Sequence, residues 1–312
     1  MRVRSRAVSA CAAIILAVTV SGCGKVAELR AKKVLKDANS AYQSQNYKEA
    51  AARYEEVLQN DPSQTVVYFY LGNSYDNLFK PDRQGGAADP ALMTKAVANY
   101  KLSVERSGDP KMKKLALQYL VAAYSDKLND PEQAIPLVQQ MIELDPSDTA
   151  SYFALERLHE DFGNLDEAEA ILLKAKEVQP KQPAVYQQLA GYYQRQGEFP
   201  KLIEAVQQRA AIEPNNPDAH YSIASYYWDE AYRNTRLTEA QKREYAQNGL
   251  TEVDRALEIR PDFVEAIVYR GLLLRIQAGM EKDAKRQLDL LKQATALQEK
   301  AVDLKNKQAA GM

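Results

Sequence analysis

Few residues in this chain are equipped for chemistry. His159 and His220 are its two histidines, and Cys11 and Cys23 are its two cysteines. A general base needs a partner that orients it, and a catalytic or structural metal needs several ligands converging on one point. Neither histidine has such company in sequence: there is no HExxH, no paired cysteine motif and no Gly-rich phosphate loop. Adjacent carboxylates such as Glu55-Glu56 and Glu160-Asp161 are ordinary in a chain with 42 acidic side chains. The expectation is a protein that is not an enzyme, with no cofactor and no metal, whose histidines pack between helices.

Cys23 is different because of what precedes it. Arg2, Arg4 and Arg6 form a positive start, and Ala10 to Val20 is an uncharged apolar run of 11 residues. That run is too short for a finished membrane-spanning helix and fits the apolar region of an export signal. Val20-Ser21-Gly22-Cys23 then resembles the bacterial lipobox, in which small residues let a peptidase close on the backbone just before a lipid-modified thiol. The resemblance implies a signal peptide over residues 1–22, lipidation at Cys23 and a lipid-anchored tether over residues 23–33. Cys11 is lost with the signal, so the mature chain keeps one cysteine and forms no internal disulfide. Gly24 is not the Asp that holds lipoproteins in the inner membrane of enteric bacteria, which favours the outer membrane, facing the periplasm.

Charge narrows the partners. The whole chain has 41 basic and 42 acidic side chains, and loss of three arginines with the signal leaves 38 against 42. A nucleic-acid partner needs a basic face, and none is legible, so no nucleic acid is expected.

The elements that must position any binding residue show themselves through punctuation. Pro146, Pro180 and Pro214 stand 34 residues apart, each just after an apolar run; Pro62 and Pro261 end similar runs. A proline there stops one helix and sets the turn into the next. Twelve residues before Pro62, Pro146, Pro180 and Pro261 lie Ala50, Ala134, Ala168 and Gly249, followed four residues later by Tyr54, Val138, Leu172 and Val253. A small residue and a large one at this spacing share a helix face, so a neighbouring helix can approach closely beside a side chain that fills the gap. Gly163-Asn164-Leu165 and Gly197-Glu198-Phe199 read as turns between paired helices.

This pattern resembles the tetratricopeptide repeat. The resemblance covers residues 34–276 as about seven units, with first helices starting near Val34, Thr65, Leu115, Thr149, Pro183, Pro217 and Val264. It implies an all-α fold, a right-handed α-solenoid of helical hairpins closed by a C-terminal capping helix and tail over residues 277–312. Two units are long: Pro62 to Pro110 spans 48 positions and Pro214 to Pro261 spans 47, placing insertions near 76–95 and 229–248. Thr238-Glu239-Ala240-Gln241 reads as a capping box inside the second. Leu202 and Arg209 stand where small residues are expected, which implies looser packing, and Pro136 is expected to kink its helix. In the tail, Leu288, Leu291, Leu297 and Val302 are sparse apolar contacts of a charged helix that either caps the array or docks a partner.

In this repeat family the first helices line a concave groove. That frame puts Leu35, Phe69, Tyr119, Phe153, Gln187 and Tyr221 in one row. A second row holds Tyr42, Asp76, Asp126, Glu160, Gln194 and Trp228. Aromatic residues give large contact area at low entropy cost, although each ring also suits packing between hairpins. The protein-binding candidates are Phe69, Asp76, Tyr119, Asp126, Phe153, Glu160, Tyr221 and Trp228, facing an extended peptide segment with basic and apolar residues. The carboxylate clamp of co-chaperone members looks incomplete: Asn39 and Asn73 fit one part, but Phe69 and Tyr119 stand where basic residues are needed. The function implied is a lipid-anchored periplasmic adaptor or scaffold in an envelope assembly, in plan like pilotin-type and outer-membrane-assembly lipoproteins. Its rival is a binding protein for cell-wall glycan or other polysaccharide.

Overall fold

The computed structural model describes residues 29–80 and 89–309; the expected signal peptide over residues 1–22, Cys23, and parts of the expected tether, of the insertion near 76–95 and of the C-terminal tail lie outside the described residues. Every regular element among the described residues is helical, in tandem hairpins that form an α-solenoid with a terminal helix. The chain divides into two compact units, the first ending at Leu158 and the second starting at His159.

The first unit holds α1 (29–43), α2 (Tyr47–Asn60), α3 (Thr65–Leu78), α4 (Pro90–Arg106), α5 (Pro110–Ala122), α6 (Ala134–Leu144) and most of α7 (Thr149–Asp161). The small-large pairs form its seams: Ala50, Tyr54, Ala134 and Val138 are all fully buried. Packing begins before Val34, because α1 is already helical at residue 29 and Ala31 is 1% exposed. A further pair, Ala96 and Tyr100, builds the seam of α4 against α3, and the proline spacing does not point to it. The reason is that Pro110 does not end a helix. It opens α5, five residues before the expected start at Leu115, with Asp109 capping the Lys111 amide at 3.0 Å.

Two further features depart from expectation. Residues Ala123–Lys127 wind into a π-helical turn that ends α5, followed by Asn129 at φ 53°. Pro136 causes no kink of the expected kind: α6 begins at Ala134, so the proline sits in the first turn, where its missing N–H costs no helical bond.

The second unit holds α8 (Leu165–Val178), α9 (Pro183–Gln196), α10 (Phe199–Ile212), α11 (Pro217–Arg233), α12 (Glu239–Ile259), α13 (Val264–Met280) and α14 (Ala284–Ala309). Gly163 and Gly197 take φ of 75° and 73°, a backbone conformation that L side chains adopt only with strain, which explains glycine at both turns. Thr238 and Gln241 close the capping box reciprocally, at 3.2 and 3.0 Å, and start the 21-residue α12. Beside α9 and α10, cavities of 120 and 210 Å³ lie against Leu202 and Ala205.

α14 packs along α13 as the second helix of a complete hairpin, which the tail's composition did not suggest. Its buried stripe is Ala294 and Ala301, with Leu290 and Leu297 packed alongside. Leu288, Leu291 and Val302, expected as contacts, are 51%, 38% and 55% exposed. The small residues win the seam because α13 comes close: a Cβ on Gly271 would lie 3.3 Å from the Ala294 carbonyl oxygen.

Candidate binding surface

In the first unit the aromatic residues join in a continuous set of ring contacts. Tyr42 meets Tyr47, Tyr54 and Tyr70 at 5.7, 6.3 and 5.2 Å between centroids. Phe69 meets Tyr70, Tyr100 and Tyr119 at 5.4, 5.8 and 5.2 Å. A polar ladder runs through the same helices. The Tyr42 hydroxyl donates to Asn73 Oδ1 at 2.6 Å, Asn73 Nδ2 donates to the Tyr100 hydroxyl at 3.4 Å, and that hydroxyl donates to Asp76 Oδ2 at 3.2 Å. Lys127, carried by the π-turn, closes the ladder on Asp76 Oδ1. Burial, aided by the neighbouring tyrosines, pushes the Tyr42 phenol up to about 12. Burial and then the Asp76 charge push Tyr100 up as well, so these hydroxyls stay neutral donors at physiological pH.

This geometry corrects two of the expected contact residues. Phe69 is 4% exposed and Asp76 is 7% exposed, so ring and carboxylate belong to the interior of the first unit. A buried carboxylate needs compensation, and Tyr100 with Lys127 supplies it. Tyr119 is half-buried against Phe69 and Tyr100, Phe153 is half-buried, and Asp126 is exposed.

In the second unit Glu160 is also occupied. Its carboxylate receives a forked contact from Arg195, with Nε at 2.8 and 3.0 Å and the terminal nitrogen at 2.7 Å, and a further bond from Gln196 at 3.0 Å. Two of the three expected acidic residues are therefore spent on internal ion pairs, which weakens the case for a basic partner. Gln187 and Gln194 are exposed.

Tyr221 and Trp228 stand on α11 in a second aromatic group. Tyr221 contacts Phe263 and Tyr269 at 5.1 and 5.3 Å. Burial, then Tyr269, raises its phenol to about 12. Trp228 stacks on Tyr232 at 5.1 Å with ring planes 10° apart, and meets Tyr269 edge-on at 5.3 Å. Tyr232 is 65% exposed, and the pair forms one wall of a 490 Å³ cavity that α12 and α13 complete with Lys242, Leu272, Arg275 and Ile276. Of these lining residues Trp228 alone is among the protein-binding candidates expected from the repeat frame. Trp228 with Tyr232 and Leu272 with Ile276 share an i, i+4 spacing that marks one face on each helix.

His220 packs as expected for a helix-packing residue. It is 8% exposed, with Nδ1 2.8 Å from a Glu252 oxygen and Nε2 3.2 Å from the Pro214 carbonyl. Among the described residues no group of three or more His, Cys, Asp or Glu could hold a metal ion, and no helix is long and apolar enough to cross a membrane.

Comparison with known proteins agrees with the geometry. Residues 35–83 and 127–192 each match a family profile described as tetratricopeptide repeat. The chain is 30% identical over 136 residues to tetratricopeptide repeat protein 37 of Xenopus laevis, a match spanning 44% of this chain and 8% of that protein. Among solved structures, the C-terminal part of a TPR repeat-containing protein from Cytophaga hutchinsonii superposes with a TM-score of 0.54 at 15% identity, covering 86% of this chain and 98% of that one. A MamA protein gives 0.44 at 18% identity, covering 63% and 94%. Residues 35–83 and 127–192 thus match tetratricopeptide repeats, and the chain shares the α-solenoid fold of a TPR repeat-containing protein.

Proposed function

We propose that this protein is a lipid-anchored adaptor or scaffold of the bacterial envelope, acylated at Cys23, facing the periplasm from the outer membrane and holding a protein partner. The observation that carries the binding role is the second aromatic group. Tyr221, Trp228 and Tyr232 are held by ring contacts on rigid helices, yet Tyr232 keeps 65% of its surface exposed. Rings fixed in advance lose little freedom on binding and so make effective anchors. In the first unit Tyr119, Asp126 and Phe153 offer the remaining contact surface, with Phe69 and Asp76 holding the helices behind them.

The envelope location rests on Arg2, Arg4 and Arg6, the apolar run to Val20 and the Val20-Ser21-Gly22-Cys23 motif. One acyl chain gives marginal membrane binding, at about 0.8 kcal/mol per buried CH₂, so a multiply acylated cysteine is what would hold the protein firmly. Cys23→Ser tests this. The variant is expected to keep its signal, to lose incorporation of labelled fatty acid and to leave the outer-membrane fraction. Wild-type protein without added lipid mass at Cys23 would overturn the anchor.

A further inference from the structure

The cavity between α11 and α13 carries a charge opposite to the one expected of the binding surface. Lys242 from α12 and Arg275 from α13 line it, and among the described residues no carboxylate does. The acidic residues nearby are turned to other work. Asp229 pairs with Arg233 at 2.6 Å and Glu239 with Arg243 at 3.1 Å, while Glu281 accepts the Lys282 and Asp283 amides at 2.7 and 3.0 Å. Glu230 lines a different cavity with Tyr193 and Leu202. Arg275 donates to Gln298 Oε1 at 3.0 Å, a neutral acceptor that leaves its charge in place. The rest of the lining is apolar: the stacked rings of Trp228 and Tyr232 face Leu272 and Ile276. A volume of 490 Å³ falls within the range of about 300–1,000 Å³ typical of ligand pockets.

We propose that this cavity receives an aromatic or branched apolar side chain of a partner's acidic segment, with flanking Asp or Glu residues meeting Lys242 and Arg275. The apolar side chain buries against Trp228 and Leu272, and the carboxylates neutralise two cations that otherwise repel each other across one cavity. The exposed edge of Tyr232 leaves the rim open for a chain to pass. This inference rests on the protein-binding reading above and replaces its preference for basic segments with one for acidic segments at this site.

Trp228 is the chain's single tryptophan, so its emission reports directly on the cavity. The full chain is titrated with three synthetic peptides of equal length: Phe flanked by glutamates, Phe flanked by lysines, and Ala flanked by glutamates. The first is expected to change Trp228 emission saturably, at least tenfold more tightly than either of the others. Its affinity should fall as salt rises, because exposed charges are screened over about 10 Å at 0.1 M. Two variants keep the test independent of folding. A Cβ on Gly279, which lines the cavity, meets nothing within 4 Å, so Gly279→Leu should fill the space without disturbing the helices. Lys242→Gln with Arg275→Gln removes the charge and leaves the volume. Each is expected to weaken the first peptide at least tenfold with helical content unchanged. Equal responses to the glutamate and lysine peptides, or no response to any, would overturn the proposal. If a protein partner is nevertheless crosslinked elsewhere on the chain, only this site falls; if no protein partner is found anywhere, the adaptor role falls with it.

Discussion

Gly72 and Gly191 are both helical glycines, yet the same substitution should act on them with opposite sign. Replacing an interior helical glycine by alanine relieves backbone entropy and is worth about 0.5–1 kcal/mol of stabilisation where space allows. At Gly191 the nearest neighbour of a new Cβ is the Arg195 guanidinium at 3.4 Å, the far end of a flexible side chain, so Gly191→Ala should gain that amount. At Gly72 the Cβ would stand 2.9 Å from Tyr100 Cδ1 and 3.1 Å from the Ala96 carbonyl oxygen. Neither can yield cheaply: the ring is fully buried with its hydroxyl tied to Asp76, and the oxygen is backbone. Overpacking of this kind costs about 1–3 kcal/mol, which outweighs the propensity gain and leaves Gly72→Ala destabilised by up to about 2.5 kcal/mol. Urea unfolding followed by helical circular dichroism gives the two midpoints, and amide exchange in α3 and α4 localises the first effect. Gly191→Ala should raise its midpoint and Gly72→Ala lower it. A rise in both would refute the close approach of α3 and α4.

The polar ladder and the surface ion pairs give two further expectations. Asp76→Ala removes the acceptor of the buried Tyr100 hydroxyl and the partner of Lys127, which should cost about 1–3 kcal/mol in urea unfolding; Asp76→Asn, which keeps an acceptor, should cost less. The Lys201 ammonium beside Glu169, 3.0 Å away, holds its carboxyl below the usual 4.5, with help from the Tyr193 hydroxyl at 2.8 Å. Because the folded state lowers this value, its stabilisation is present above 4.5 and is lost as pH falls below it. Glu169→Gln should therefore lower stability at neutral pH and flatten the acid limb, so that the variant and the wild type converge as pH falls below that window.

Much of this architecture was legible because helix punctuation is local. Pro146, Pro180 and Pro214 lie in the turns before α7, α9 and α11, and the small-large pair Ala168 and Leu172 is fully buried. Residue type and spacing decide such features without help from distant parts of the chain. The seam of α14 was illegible for the opposite reason. Hydropathy favours Leu288, Leu291 and Val302, but the approach of Gly271 selects Ala294, and that distance belongs to the fold. Phe69 and Asp76 show the same limit at the binding surface. Their repeat positions give the face they occupy, but not that Tyr119 and the π-turn carrying Lys127 would cover them. The charge of the cavity at Trp228 comes from two helices, α12 and α13, so no single stretch of sequence displays it.

The adaptor role requires that these helices hold a protein. A photoreactive amino acid placed in living cells at Phe153, Tyr221 or Tyr232, with a control at the exposed Leu173 of α8, followed by mass spectrometry of the adducts, tests this most directly. The prediction is a discrete protein adduct from Tyr221 and Tyr232, and one from Phe153, each absent from the control. Adducts to glycan alone, or no adduct from any of the three positions in folded, correctly exported protein, would contradict it.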